Sequence, residues 1–211
     1  MSNNFNFSTI KNFDNHIKNS ISNYDILHNL VLQISEFFIK KNSIVYDIGC
    51  STGKLVQELR EKSEGIIIGI EKDKNNIEVE YILNADIRNV VLKENSSLIL
   101  SIFTLQFIGV QYRENILQKI YNSLHTGGAL IIAEKTYSEN GLAQEIFTFS
   151  NYDYKKNNFT PEEILQKEKD IRKIMKPLTE KENVKMFENV GFKKIDVFYK
   201  SLNFVGWVLV K

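Results

Sequence analysis

The sequence has one cysteine, two prolines, three histidines and no long hydrophobic run among its 211 residues. Cys50 has no second cysteine with which to pair, so an internal disulfide is excluded and we expect a reducing compartment, the cytoplasm. No apolar run reaches transmembrane length and the polar N-terminus does not resemble a signal peptide, so no membrane partner is expected. The histidines, His16, His28 and His125, lack metal-ligand spacing, and no metal is predicted.

The charge is nearly balanced, because 27 basic and 26 acidic residues leave a formal net charge of +1. Nothing in this balance demands nucleic acid as a partner. An aromatic and lysine cluster at 147–156 could stack on bases and neutralise phosphates, but such a segment is more often a lid or a dimer surface. A small-molecule substrate is therefore the leading expectation. Length and a 43% hydrophobic content suit one domain over 1–211.

Short apolar runs alternate with amphipathic stretches, which predicts parallel strands joined by helices. Strands are predicted at 43–49, 64–72, 79–83, 96–107 and 127–135. Helices are predicted at 24–38, after Gly53, and at 114–124, 142–150, 161–175 and 180–190, so that 1–40 forms an N-terminal helical cap and 137–180 a helical insert.

Two final strands, at 193–199 and 202–210, have only two residues between them. This connection is too short for a parallel crossover and predicts an antiparallel hairpin. The expected fold class is therefore α/β, with a mainly parallel seven-stranded sheet that ends in an antiparallel hairpin and has helices on both faces. This is the Rossmann-like plan of class I S-adenosylmethionine-dependent methyltransferases.

The first strand leads into a turn with two glycines, DIGCSTG, from Asp47 to Gly53. In doubly wound sheets such a turn lies at the carboxyl ends of the strands, where the backbone approaches the ligand and a helix begins. The third glycine of a dinucleotide fingerprint is absent, and the spacing is one residue short of a P-loop, so both nucleotide motifs are disfavoured. An ordinary turn role for Gly49 and Gly53 stays an alternative.

Two acids follow the next strands. Glu71 ends the second strand, where an acid can receive ribose hydroxyls, the alternative being a solvated charge. Asp86 follows the third strand and is placed to meet an adenine amino group, with Ile87 on the ring, although an Asp in a loop is often a turn former. Together with the glycine turn these residues outline one nucleoside. Cys50 has no histidine near it in a motif and is interpreted as a small turn residue.

From about residue 13 to 211 the chain resembles the carboxy-S-adenosyl-L-methionine synthase family. The motifs that carry the resemblance are VYDIGCS (45–51), FTLQF (103–107), GGALIIAEK (127–135), EILQK (163–167) and LNF (202–204). The resemblance implies a homodimer that transfers a carboxyl group from prephenate to the methyl carbon of S-adenosylmethionine, for modification of the tRNA wobble uridine. It implies a cofactor site that includes Tyr24, Gly49, Cys50, Ser51, Glu71, Lys72, Asp86 and Ile87, to which we add Asp47 and Gly53 of the glycine turn and Ile102, which precedes FTLQF.

Three departures from the family pattern bear on the chemistry. Glu168 stands where the family has an Arg that pairs with the added carboxylate, and an acid there would repel that group. Arg172, one helical turn later, could supply the cation instead. Ile102 replaces an Asn, which removes a polar contact. Only residues 72–78 separate the second and third strands, too few for an ordinary crossover helix, so the adenine side could be more open.

The leading hypothesis is therefore an S-adenosylmethionine-dependent methyltransferase, for which positioning and exclusion of water suffice without a fixed catalytic dyad. Tyr24 would cap the methyl-donor end, unless it is a core aromatic. Glu168, with Tyr152 or Tyr154 near the acceptor, would favour a basic or amine substrate. The family reaction with prephenate and a non-catalytic cofactor-binding subunit are the alternatives.

Overall fold

The computed structural model describes residues 12–73 and 79–211. Its strands are β1 (Ile44–Ile48), β2 (Ile66–Glu71), β3 (Ile82–Asn84), β4 (Ser96–Ile102), β5 (Leu124–Tyr137), β6 (Leu178–Thr179), β7 (Lys194–Ser201) and β8 (Phe204–Val210). Its helices are α1 (Phe13–Ser20), α2 (Tyr24–Glu36), α3 (Lys54–Lys62), α4 (Val110–Ser123), α5 (Gly141–Lys155), α6 (Pro161–Ile174) and α7 (Glu180–Asn189).

Seven strands form the main sheet in the order β3-β2-β1-β4-β5-β8-β7. The pairs among β1 to β5 in this sheet are parallel, whereas β8 runs antiparallel to both β5 and β7. The predicted fold class is thus confirmed, including the C-terminal hairpin. A two-residue strand, β6, also pairs with β5 and was not predicted, because two residues are too few to form a pattern.

The sheet is covered on both faces because its central strands are apolar on both sides. In β1, Val45 contributes to the core that contains α2 and α3, through residues such as Leu27 and Val56. The neighbouring Tyr46 contributes to the opposite core, which contains α4 and α7, through residues such as Ile116 and Phe187. Helices on both faces leave the carboxyl ends of the parallel strands for a ligand.

Local signals explain where the later helices begin. Thr160 and Glu163 form a capping box ahead of α6, with Pro161 in the first turn. Thr179 and Glu182 form a second capping box ahead of α7. Both helices start where the sequence predicts. α5 begins one residue earlier than predicted and is longer, since it continues to Lys155.

The third strand differs from its prediction. A strand at 79–83 was predicted, whereas β3 spans Ile82–Asn84 and pairs only with β2. Tyr81 instead packs under the Arg60 guanidinium, 4.3 Å from the ring centroid. The connection at 72–78, predicted to be too short for a crossover helix, lies largely outside the described residues. Across 12–73 and 79–211, none of the helices combines the length and the apolar character needed to cross a membrane.

Candidate functional site

A cavity of about 900 Å³ lies at the carboxyl ends of β1, β2 and β4, beneath α1, α2 and α6. This volume is within the usual range for small-molecule sites, about 300–1,000 Å³. Eleven of the predicted site residues line it: Tyr24, Asp47, Gly49, Cys50, Ser51, Glu71, Lys72, Asp86, Ile87, Ile102 and Glu168. The other four, Gly53, Tyr152, Tyr154 and Arg172, are not among the residues that line it.

The glycine turn lets β1 approach the loop that follows β4. Gly49 has a positive φ of 73°, and a Cβ at this position would collide with the Thr104 side chain. Thr104 Oγ1 in turn donates a hydrogen bond to the Ile48 carbonyl at 2.9 Å. Gly53 also has a positive φ, caps α3, and faces Ile82 rather than the cavity. The structure therefore gives Gly53 the ordinary turn role.

Glu71 is fixed at the end of β2 by backbone groups. Its Oε2 accepts the Ser51 N–H at 2.9 Å, and its Oε1 accepts the Asp73 N–H at 3.0 Å. Each carboxylate oxygen can accept more than one hydrogen bond, so Glu71 can still receive ribose hydroxyls. The hydrogen bonds tie β2 to the glycine turn and hold the carboxylate at the cavity wall.

Asp47 is a buried acid in the cavity. Its exposed fraction is 3%, and its carboxylate accepts no hydrogen bond from the described residues. Burial, with a smaller contribution from the charge of Glu71, raises the pKa of Asp47 to about 7. Such a carboxylate favours a cationic ligand group, and S-adenosylmethionine has two, its sulfonium and its amino group. The residues present therefore fit this cofactor.

Asp86 lines the cavity after β3, and local hydrogen bonds constrain its carboxylate. Its Oδ1 accepts the Arg88 backbone N–H at 2.9 Å and caps a short 3-10 turn. The Arg88 side chain also donates to both carboxylate oxygens, at 2.6 to 3.1 Å, and thereby lowers the pKa of Asp86. Asp86 is thus a turn former as well as a cavity residue, while the buried Ile87 lies beside it.

Tyr24 and Cys50 both line the cavity and pack against apolar neighbours. The Tyr24 ring lies 6.5 Å from that of Phe103, centroid to centroid. Cys50 is buried within the core that contains α2 and α3, and its Sγ packs against Gly69. These contacts are consistent with a packing role for Cys50.

The cavity is also lined by three lysines from β5, α5 and α6, namely Lys135, Lys155 and Lys167, here called the lysine cluster. Glu168 lies among them. Its Oε1 accepts a hydrogen bond from Lys155 at 2.9 Å, and the two side chains are only 10% and 8% exposed. Its Oε2 lies 3.9 Å from the Lys135 ammonium. Although burial opposes it, the charges of Lys135 and Lys155 lower the pKa of Glu168.

Lys167 joins α6 to α1. Its ammonium contacts His16 Nε2 and lies 2.9 Å from Ser20 Oγ, to which it donates. Burial and the neighbouring charge of Lys155 lower the pKa of Lys167 to about 7. Burial and Lys167 likewise lower the pKa of His16 to about 4, so the imidazole is neutral at physiological pH. At its other side, α1 accepts a hydrogen bond from Thr52 through Asp14, at 2.9 Å.

Three residues assigned to the acceptor from the sequence have other partners. Arg172 is 49% exposed, its Nε is 4.0 Å from Glu168, and its Nη1 donates to Tyr137 at 3.1 Å. Tyr154 donates its hydroxyl to the Lys18 carbonyl at 2.7 Å, and so supports α1. Tyr152 packs edge-on against Phe149. The cations nearest Glu168 within the cavity are therefore lysines, and not Arg172.

The chain is similar in sequence to known proteins. The family described as Methyltransferase domain matches residues 46–132. A carboxy-S-adenosyl-L-methionine synthase from Staphylococcus epidermidis is 37% identical over 96% of this chain and 94% of that protein. The chain belongs to the carboxy-S-adenosyl-L-methionine synthase family. Family membership confirms the predicted enzyme class, an S-adenosylmethionine-dependent transferase, and the predicted cofactor.

Solved structures agree on the fold of this family member. A SAM-dependent methyltransferase from Archaeoglobus fulgidus matches with a TM-score of 0.66 at 11% identity, over 95% of this chain and 100% of that one. Human N-acetylserotonin methyltransferase, solved in complex with SAM, matches with a TM-score of 0.58 at 15% identity, over 87% of this chain and 51% of that one. At such low identity the likeness concerns the fold alone.

The lysine cluster was not predicted as part of the site. Lys135 and Lys167 do lie in the family motifs GGALIIAEK and EILQK, which is the one signal that could have pointed to them. Lys155 lies at the end of α5, inside a segment interpreted as a surface. In the described part of the chain, no group of three or more His, Cys, Asp or Glu side chains is arranged to hold a metal ion.

Proposed function

We propose that this chain adds a carboxyl group to the methyl carbon of S-adenosylmethionine, which is the activity that the name of its relatives states. The observation that carries the proposal is the lysine cluster that lines the cavity. Two ammonium groups, of Lys135 and Lys155, face the Glu168 carboxylate, and Lys167 adds part of a third positive charge, so this part of the cavity is cationic overall. A cationic pocket attracts the carboxylate of an organic acid donor and of a carboxylated product.

The same charge balance counts against an amine acceptor. That hypothesis relied on a free negative charge at Glu168, whereas its carboxylate is hydrogen-bonded to Lys155 and lies within 4.0 Å of Lys135 and Arg172. A protonated amine would meet the lysines as well as the acid, and like charges in a buried pocket repel strongly.

The remaining cavity residues would hold the rest of the molecule. Asp47 offers a carboxylate to the cationic groups, Glu71 offers acceptors to the ribose, and Asp86 with Ile87 lies at the adenine end. With prephenate as donor, the ring carboxyl group would leave as carbon dioxide, and the electron pair of the broken bond would aromatise the ring and expel its hydroxyl group as hydroxide. The methyl carbon of S-adenosylmethionine would give up a proton and bond to the carbon dioxide, so that phenylpyruvate and water are the other products. The chain's part is to orient both molecules and to exclude water.

Methyl transfer to another acceptor is the second candidate. Ile102 favours it, because this apolar side chain lines the cavity at a position where a polar ligand contact was expected. An uncharged methyl acceptor would not require the positive charges of the lysine cluster. A non-catalytic cofactor-binding subunit is the third candidate, and any turnover by the purified chain excludes it.

The test is to incubate the purified protein with S-adenosylmethionine, with and without prephenate, and to analyse the small molecules by mass spectrometry. We expect a cofactor product heavier by one carboxyl group, formed only when prephenate is present. Prephenate labelled in its ring carboxyl group should pass the label to that product. Formation of S-adenosylhomocysteine with a chosen acceptor, and no carboxylated product, would support methyl transfer instead.

Lys155→Met is the matched variant for this assay, and Lys156→Met is its control. Lys155 belongs to the buried cluster, whereas its neighbour Lys156 is exposed and pairs with Asp153 at the surface. We expect Lys155→Met to lose carboxyl transfer while it still binds S-adenosylmethionine, which separates lost recognition from unfolding, and Lys156→Met to keep both. Equal activity of the two variants would show that carboxyl transfer does not depend on the lysine cluster.

We also infer that the chain forms a homodimer in the cytoplasm. Its product would serve tRNA wobble-uridine modification. A small molecule is favoured over nucleic acid as the partner that the chain itself binds. An apolar stripe on α5 supports self-association: Leu142, Ile146 and Phe149 are exposed and lie one helical turn apart. Light scattering should give twice the mass of one chain, and Ile146→Glu should lower it to that of one chain. An unchanged mass for Ile146→Glu would place the interface elsewhere.

A further inference from the structure

Lys135 differs from the other members of the lysine cluster in having no hydrogen-bonded partner. Its side chain is only 14% exposed and lines the cavity. Among the described residues its ammonium forms no hydrogen bond, and its nearest acid, Glu168, lies 3.9 Å away. Lys155 is bonded to Glu168, and Lys167 to Ser20. One of the three cations is therefore left with all of its donors unused.

A buried ammonium without a partner is costly, so an ordinary core would not retain one. Burial, and to a smaller extent the charges of Lys155 and Arg172, bring the pKa of Lys135 down to about 8 against the raising effect of Glu168. The charged groups that interact with it are Glu168, Arg172 and Lys167 from α6 and Lys155 from α5. Glu168 alone raises the pKa of Lys135, and so it helps to keep this lysine charged.

The backbone at Lys135 is held firmly. Its N–H donates to the Gln106 side chain at 2.7 Å, and it pairs with Phe204 of β8 in the sheet. The preceding residue, Glu134, accepts the N–H groups of Leu105 and Gln106. A lysine on such a rigid strand presents its charge at a defined point of the cavity, which is a requirement for specific recognition.

We propose that the Lys135 ammonium binds the ligand's carboxylate directly and that Glu168 is a positioning residue, which occupies Lys155 and leaves Lys135 for the ligand. The inference rests on the proposed function, because it assigns the carboxylate of that reaction to one side chain. The ligand class is an S-adenosylmethionine derivative that has a carboxylate near the sulfonium. S-Adenosylmethionine has only the carboxylate of its methionine end and lacks the one added at the methyl carbon, so it would not use Lys135.

The experiment compares calorimetric binding of carboxy-S-adenosylmethionine and S-adenosylmethionine to the full chain and to Lys135→Met. Met is unbranched like Lys and one side-chain atom shorter, so it removes the ammonium group and keeps most of the apolar stem. We expect about a tenfold to hundredfold loss of affinity for the carboxylated ligand, as for other hydrogen bonds to charged groups, and no loss for S-adenosylmethionine. Retained S-adenosylmethionine binding also shows that the variant is folded. Lys156→Met is the control and should bind both ligands like the natural chain.

Glu168→Gln tests the positioning role of Glu168 through the pH profile of ligand binding, which a purely structural role of Glu168 would leave unchanged. In the natural chain, binding of the carboxylated ligand should weaken as pH rises and Lys135 loses its proton. Without the acid, Lys135 loses its proton at lower pH, so we expect this decline to shift to lower pH in Glu168→Gln. An unshifted profile would overturn the positioning role of Glu168.

The two proposals fail in distinguishable ways. If the natural chain prefers the carboxylated ligand and Lys135→Met keeps the same preference, the assignment to Lys135 is overturned while the proposed function stands. An equal loss for both ligands would make Lys135 structural and would also overturn the assignment. If the natural chain shows no preference and makes no carboxylated product, both proposals are overturned.

Discussion

The Glu134 side chain binds the backbone of Gln106, and the Gln106 side chain binds the backbone of the residue after Glu134, across the loop that leaves β4. The Glu134 carboxylate accepts the Gln106 N–H at 2.6 Å and the Leu105 N–H at 3.0 Å. In return the Gln106 side chain accepts the N–H of Lys135, the residue after Glu134, at 2.7 Å. The two family motifs FTLQF and GGALIIAEK are thus one structural unit, which places the Lys135 side chain in the cavity.

Glu134→Ala should destabilise the chain, because it leaves the buried N–H groups of Leu105 and Gln106 without acceptors. Each unsatisfied buried group costs about 1–3 kcal/mol. Urea denaturation measures the loss, and Glu139→Ala, which removes an exposed carboxylate, is the control. Equal stability of the two variants would contradict the structural role given to Glu134.

Gly49→Ala should impair both folding and cofactor binding. The left-handed backbone alone costs a residue with a Cβ about 1–2 kcal/mol, and here the Cβ also meets Thr104. Gly141→Ala is the matched control, because a Cβ there meets nothing within 4 Å. Thermal melting and titration with S-adenosylmethionine check the prediction, and it would be contradicted if Gly49→Ala matched Gly141→Ala in both.

Asp47→Asn should stabilise the free protein above neutral pH and weaken cofactor binding. Burial raises the pKa of Asp47 to about 7, so the folded state keeps a proton that the unfolded state releases at lower pH. Stability therefore falls as pH rises from the ordinary value of 3.8 to about 7 and levels off above it, and Asn removes this loss.

The cofactor should show the opposite dependence on pH. A cationic ligand favours ionised Asp47, so affinity for S-adenosylmethionine should rise as pH increases through 7. Melting curves and calorimetric titrations across this range check both effects. The amino group of S-adenosylmethionine titrates with either protein. The difference between the pH profiles of the natural chain and Asp47→Asn therefore reports Asp47 alone. Identical pH profiles for the natural chain and Asp47→Asn would refute the assignment.

Lys155→Met should destabilise the protein strongly, because it leaves Glu168 as a buried acid without its hydrogen-bonded partner. Breaking a buried pair costs about 3–5 kcal/mol, whereas replacing both members with apolar groups can cost little. The double variant Lys155→Met/Glu168→Met should therefore recover much of the stability. Denaturation of both variants measures this coupling, and simple additivity of the two changes would show that the pair is not coupled.

The fold was predictable from local patterns. Apolar runs predicted the central strands, and a two-residue connection predicted the antiparallel hairpin of β7 and β8. β3 was misplaced, since an edge strand with one neighbour has a weaker pattern than a strand buried on both faces. That Gly49, Glu71 and Asp86 line one cavity was also predictable, because each lies at or just after the end of a parallel strand, and parallel strands end at one edge of the sheet.

The lysine end of the cavity was not predictable in the same way. Lys135, Lys155 and Lys167 come from β5, α5 and α6, and only tertiary packing brings them together. The sequence shows that residue 168 is an acid, but it does not show which side chains neutralise the charge of Glu168. For that reason the sequence favoured a basic acceptor, whereas the packed site favours an anionic group.

Mass spectrometry of the small molecule that co-purifies with the protein tests the central claim most directly. We predict that gentle denaturation of the natural chain releases carboxy-S-adenosylmethionine, and that Lys135→Met releases much less of it. Release of S-adenosylmethionine or S-adenosylhomocysteine alone from the natural chain, purified from cells that contain prephenate, would contradict it. The site would then belong to a methyltransferase whose acceptor is still to be found.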